Sequence, residues 1–307
     1  MANMLNFFMI GTMSRISIVI LVLFLSGCAQ MPNQRSPQMG NLLLAEPAPI
    51  NPRAQLAIAR YNYILTEASL EDAERADLLY QRGMLYDSVG LTGLAQYDYT
   101  QALSLRPDMA EAYNSIGIHY TQQMEFVQAY EAFDSSLDIN PEYEFAFLNR
   151  GIALYYGGRP DLALTDLDTF MQRDTSDPYR ALWRYIAQRE VDEPSALAEL
   201  TETQKSLNQD HWATSLVDFY LNKTSENELL SSLINGVSSQ KELTDRLCEA
   251  YFYLGKYHSA RGNRGVASNY FKLALSTNVF EYVEHRYARL ELNRLRGKNL
   301  DQTPEVQ

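Results

Sequence analysis

The side chains best suited to nucleophilic or metal chemistry are few and scattered: two Cys and four His in 307 residues. A zinc pair on a helix needs two His four residues apart on one face, and His119, His211, His258 and His285 supply no such spacing. Each reads as a packed or surface histidine. Cys248 has no His near it in sequence and opens an apolar helical register, the setting of a buried small hydrophobe. Asp and Glu total 38, but carboxylates at helical spacing form a solvated face. No Gly-rich loop follows a strand, because no stretch of consequence alternates with period two. The expectation is a protein with no catalytic residue, no cofactor and no metal site.

Cys28 is the exception. Arg15, the apolar run 16–25 and then Leu25-Ser26-Gly27-Cys28 have the order of an export signal. The tetrapeptide resembles the lipobox of bacterial lipoproteins, in which the Cys is lipidated and becomes the mature N-terminus. In those proteins a residue other than Asp after the Cys, here Ala29, implies sorting to the outer membrane. The run is too short to span a bilayer, which takes about 20 apolar residues. The uncharged segment before Met13 leaves two readings open: translation from Met13, or a long leader. Residues 1–27 are therefore expected as signal peptide and 28–53, with Pro32, Pro37, Pro47, Pro49 and Pro52, as lipidated Cys and extended tether. Loss of Arg15 with the signal takes the net charge from −12 to −13 (−12 − 1). Such acidity argues against nucleic acid and against headgroup binding through basic patches, so the membrane is reached through the lipid alone.

The body of the chain is organised by a repeat. Pro107 and Pro141 lie 34 residues apart, and counting back from each superimposes two registers. The first holds Leu79, Gly83, Tyr86, Ala95, Tyr99, Ala102; the second Tyr113, Gly117, Tyr120, Ala129, Phe133, Ser136. One more period gives Phe147, Gly151, Leu154, Ala163, Leu167 and Phe170, with Thr175 in place of proline. This is the pattern of the tetratricopeptide repeat, a pair of antiparallel helices. Gly and Ala at fixed positions let the two helices approach, Gly90 and Gly157-Gly158 end first helices, and the prolines end second ones.

Around these repeats (76–109, 110–143, 144–177) the remaining segments read as helical. A leading helix covers 54–67, and Ser69 to Asp72 is expected to cap the next in capping-box fashion. Residues 178–240 read as hairpins without the motif, starting at Pro178, at Pro194, around Trp212 and at Glu226. Tyr251, Gly255, Ala267, Phe271 and Ala274 restore the register as a fourth repeat, 248–281. A capping helix near 280–297 and a frayed tail, 298–307, follow. The fold class expected is all-α: a tetratricopeptide-repeat solenoid over 54–297 with extra non-consensus hairpins and a C-terminal cap.

Repeats of this class present a groove lined by their first helices. Its candidate partner-binding residues here are Tyr80, Met84 and Asp87; Asn114, Ile118 and Gln122; and Leu148, Ile152, Tyr155 and Tyr156. Aromatic and apolar groups of this kind are enriched in protein interfaces. Asn149-Arg150 echoes part of the clamp by which some repeats hold a peptide carboxylate, but the groove positions of these three repeats carry no lysine. One of the two rings of Tyr155-Tyr156 is a candidate for the core rather than the groove.

Four blocks carry a closer resemblance: 78–88 (LLYQRGMLYDS), 149–159 (NRGIALYYGGR), 252–257 (FYLGKY) and 283–288 (VEHRYA). Together with the lipobox they resemble the NlpI family of Gram-negative lipoproteins, over about residues 55 to 295; the start before Met13 and the segment 190–245 depart from it. The resemblance implies an outer-membrane, periplasm-facing homodimer acting as an adaptor. Members dock a periplasmic tail-specific protease, bring peptidoglycan endopeptidases to it and scaffold other murein hydrolases. The alternative is a structural partner of an outer-membrane assembly machine with no protease role.

Overall fold

The computed structural model describes residues 43, 44 and 46–297. The expected signal peptide, Cys28, the first part of the expected tether and the tail from 298 lie outside them. Fourteen α-helices and one short 3₁₀ turn run through the described residues, with no strand among them. The chain is an all-α solenoid of tetratricopeptide type.

Its helices are α1 (Pro52–Glu67), α2 (Asp72–Ser88), α3 (Thr92–Leu105), α4 (Ala110–Gln123), α5 (Phe126–Ile139), α6 (Glu144–Tyr156) and α7 (Pro160–Arg173). There follow α8 (Pro178–Val191), α9 (Glu193–Thr203), α10 (Thr214–Tyr220), α11 (Glu226–Ser232), α12 (Gln240–Ala260), α13 (Arg264–Ser276) and α14 (Val283–Leu295). The pairs α2/α3, α4/α5, α6/α7 and α12/α13 pack as the repeat register requires.

The close approach within each pair is visible at its glycine. A Cβ on Gly117 would stand 2.6 Å from the Phe133 ring, and one on Gly255 2.5 Å from Phe271. Real side chains do not approach so closely, so the aromatic at the one position demands glycine at the other. Each first helix also stops in the same way. Gly90, Met124, Gly158 and Gly262, at one register position, have φ of 78°, 62°, 76° and 76°. The residue after each donates its N–H back to a carbonyl of the last turn: Leu91 to Tyr86, Glu125 to Tyr120, Arg159 to Leu154 and Asn263 to His258, at 2.8–3.0 Å. The left-handed residue turns the chain and satisfies an otherwise orphaned carbonyl.

Buried charge staples alternate pairs. Arg82 holds Asp98, and Arg150 holds Asp166, each through two hydrogen bonds of 2.7 Å. Arg150 adds Asp134 at 2.7 Å.

Two local expectations are corrected. The cap of α2 falls at Glu71, whose N–H donates to Glu74 Oε2 (3.2 Å), not at Ser69; Glu71 sits where the chain turns and Glu74 stands three residues inside the helix. The end of the expected tether is docked rather than free. Ala48 N–H donates to Thr277 O (2.7 Å), and the hydroxyls of Thr244 and Tyr251 donate to the carbonyls of Glu46 and Leu43. A proline-rich extended segment has spare carbonyls, and α12 offers hydroxyls to fill them.

Candidate functional site

The inner face of the first helices is where the sequence places the partner groove, and the structure fills much of it from within. Helix α14 packs not only on α12 and α13 but also on α4. Its amphipathic pattern buries Tyr287, Leu290 and Glu291.

Of the candidate groove residues, Asp87, Asn114, Ile118, Leu148, Ile152 and Tyr156 are buried. Tyr80, Gln122 and Tyr155 are half-buried and Met84 is exposed. The six buried residues therefore offer no open surface in this conformation. Asp87 accepts from Tyr99 OH (2.9 Å) and faces His119 Nε2 (2.9 Å). Asn149 Nδ2 donates to Asn114 Oδ1 (3.0 Å), a rung between neighbouring first helices. Arg150 is committed to Asp166 and Asp134, so the echo of a carboxylate clamp at Asn149-Arg150 is not realised there.

Tyr155 and Tyr156 part company. Tyr156 turns inward, its ring 5.5 Å from Tyr287 and 6.5 Å from Trp183, and its hydroxyl donates to Glu291 Oε1 (2.9 Å). Tyr155 stays partly open and accepts from Lys256 Nζ (2.7 Å). Lys256 Nζ also donates to Glu291 Oε1 (2.5 Å), with both side chains almost fully buried. Burial pushes the Glu291 carboxyl up, but the charges of Lys256 and Arg294 and the donated hydrogen bonds outweigh it, and its pKa falls below the usual carboxylate value. Burial pulls Lys256 down and Glu291 more than restores it. The pair is thus charged, and fastens α12 to α14 beneath α6.

Lys256 was within reach of the sequence. It stands in repeat four at the register position of Met84, Ile118 and Ile152, so the lysine missing from the first three repeats is present in the fourth. Its partner Glu291 carries no repeat signal and could be found only in three dimensions.

The remaining chemistry-bearing residues take structural places. Cys248 is fully buried among α12 and α13, and burial pushes its thiol well above its usual pKa. His258 pairs with Glu226 (2.8 Å), and His285 faces Leu275 O (3.1 Å). His211 Nδ1 accepts from Ala213 N–H (3.2 Å). Among the described residues no cluster of His, Cys, Asp and Glu is placed to hold a metal, and no helix is long and apolar enough to cross a membrane.

No protein-family model matches the chain. Among solved structures it is similar to a tetratricopeptide repeat protein from Parabacteroides merdae, at 18% identity and TM-score 0.48, covering 80% of this chain and 78% of that one. It is also similar to YrrB, described as a TPR protein with an unusual peptide-binding site (18% identity, TM-score 0.38, 71% of this chain and 92% of that one). A third is PilF of Pseudomonas aeruginosa (19% identity, TM-score 0.42, 72% and 99%). The repeat assignment itself rests on the shared register and the helix pairing described above.

Proposed function

We propose that this chain is a lipid-anchored, periplasm-facing scaffold of the NlpI type, which docks a tail-specific protease and brings peptidoglycan endopeptidases and other murein hydrolases to it. The observation that carries the scaffold reading is the stack of two-helix repeats, which spreads its side chains over an extended surface instead of gathering them in one reaction centre. Second helices expose apolar groups on the outer side: Leu94 and Tyr97 on α3, Val127 on α5 and Leu162 on α7. With the inner face partly filled by α14, these outer and edge surfaces add to what stays open on the first helices at Met84 and Phe145. The lipobox at Cys28 supports the anchor, and the four sequence blocks support the adaptor role and the homodimer.

Two measurements test it. Cys28→Ser should move the protein out of the outer-membrane fraction; unchanged partitioning sinks the anchor. A soluble chain starting at Ala29, mixed with the tail-specific protease and an endopeptidase, should speed loss of the endopeptidase by raising effective concentration, and excess scaffold should slow it again. A flat response at every dose rejects the adaptor. A pull-down from detergent extract that returned outer-membrane assembly subunits in place of protease and hydrolases would favour the alternative role.

A further inference from the structure

A second concavity opens beside the Lys256–Glu291 pair. It has a volume of about 370 Å³ and is walled by side chains of α6, α8, α10, α12 and α14. Four cations line it, Arg189, Lys256, Arg261 and Arg294, against two carboxylates, Glu190 and Glu291. Such a surplus is unexpected in a chain of net charge −12.

Two of the cations are already engaged. Lys256 is bound to Glu291, and Arg189 reaches Glu193 (3.1 Å) and Glu190 (3.6 Å) while donating to Ala260 O (3.0 Å). That last bond covers a carbonyl at the end of α12, which would otherwise repel an anion. Arg261 and Arg294 differ: among the described residues neither has a carboxylate within 4.0 Å. Arg261 is exposed and lies over the Tyr257 ring, its Cζ 3.4 Å from the ring centre, with one long bond to Tyr257 O (3.5 Å). Arg294 is held by ring faces too, 5.9 Å from Tyr155 and 5.2 Å from Tyr156; its side chain hydrogen-bonds Tyr155, and its charge supports the Glu291 carboxylate from beyond ion-pair distance. Stacking fixes a guanidinium plane while leaving most of its edge donors free, and that fork matches a carboxylate.

We propose that this cavity binds a carboxylate-bearing ligand, its carboxylate held by Arg261 and Arg294 and its apolar body laid against Tyr155 and Tyr257. The volume suits a body of one or two residues. Glu190 and Glu291 in the same lining disfavour a phosphate dianion and leave room for a single negative charge. The carboxylate has two sources, the free carboxyl end of a peptide or a small free acid. The proposal stands on the cavity alone and is independent of the adaptor role.

Calorimetric titration of the soluble chain starting at Ala29 tests it, with four probes: N-acetyl-Leu-Phe as the free acid, the same dipeptide as its amide, 3-phenylpropionate, and inorganic phosphate. The free acid should bind and the amide should bind at least about tenfold more weakly, the scale of one charge-assisted contact. Arg261→Gln and Arg294→Gln should each weaken the acid by a similar factor, with Arg261→Lys restoring it only in part because the fork is lost. Phenylpropionate binding as tightly as the dipeptide supports a small acid as the source; much weaker binding supports a peptide terminus. Equal binding of acid and amide, displacement of the acid by phosphate at equal concentration, unchanged affinity in both Gln variants, or no binding of either acid overturns the proposal.

Discussion

The hydroxyl of Tyr156 donates to the Glu291 carboxylate across 135 positions of sequence, at 2.9 Å. One partner ends the first helix of the third repeat and the other lies in the last helix, so a single contact ties the cap to the inner face of the stack. Because Lys256 shares the same carboxylate oxygen, three helices depend on one buried group.

Glu291→Gln should therefore destabilise the protein by about 3–5 kcal/mol, since Lys256 would be left buried without a counter-charge. The double variant Lys256→Met, Glu291→Leu should be less unstable than either single change to an uncharged residue, because it removes both desolvation costs. Urea midpoints of Glu291→Gln, Lys256→Met, Glu291→Leu and the double variant against the parent measure this. Strictly additive losses would show that the pair is not coupled.

Gly117→Leu should cost about 1–3 kcal/mol through overpacking, since even a methyl there would meet the Phe133 ring. Gly93, which has open space around its Cα, is the control: Gly93→Ala on the exposed part of α3 should hold or raise stability. Thermal melts that ranked the two substitutions in the opposite order would contradict the packing.

Met124 is the one helix-ending position of the four repeats without glycine, and it carries φ of 62°. Met124→Gly should raise stability by up to about 1 kcal/mol, the relief of left-handed strain less the added freedom of the unfolded chain. A lowered melting temperature would mean that the Met124 side chain contributes more packing than its backbone strain removes.

Glu284 gives a pH signature. Burial pushes its carboxyl up to about 7, despite the bond that Tyr253 OH donates to it (3.1 Å). Its neighbour Glu249 is likewise driven up by burial and then by Glu284. A folded pKa above the unfolded value near 4.5 means that folding binds a proton. That stability is fully present below the unfolded value and is lost as pH rises through 7. Between pH 5 and 8 the parent should thus lose stability relative to Glu284→Gln, which keeps the shape without the titration. Parallel pH profiles for the two proteins would refute this.

Much of the solenoid could be read from the sequence because its causes are local and periodic. A glycine facing a large apolar residue sixteen positions on, an alanine at the crossing point and a turn at a fixed position recur at a 34-residue period, and recurrence separates them from chance. Lys256 belongs to that pattern too. The helices of 178–240 were legible as helices from Pro178, Pro194, the stretch around Trp212 and Glu226, but their packing was not, because no repeat ties them to a neighbour.

The sequence by itself determined the class of fold and the pairing of consecutive helices, since each contact lies within one repeat length. Only the tertiary structure decided what covers the inner face. Tyr156 is covered by Tyr287 and Glu291 of α14, more than a hundred residues away, and no local pattern encodes that encounter. The meeting of Arg261, Arg294 and Tyr155 around one cavity has the same origin: Tyr155 and Arg294 lie on ordinary helices and Arg261 just past the end of α12, and long-range packing alone brings their charges and rings together.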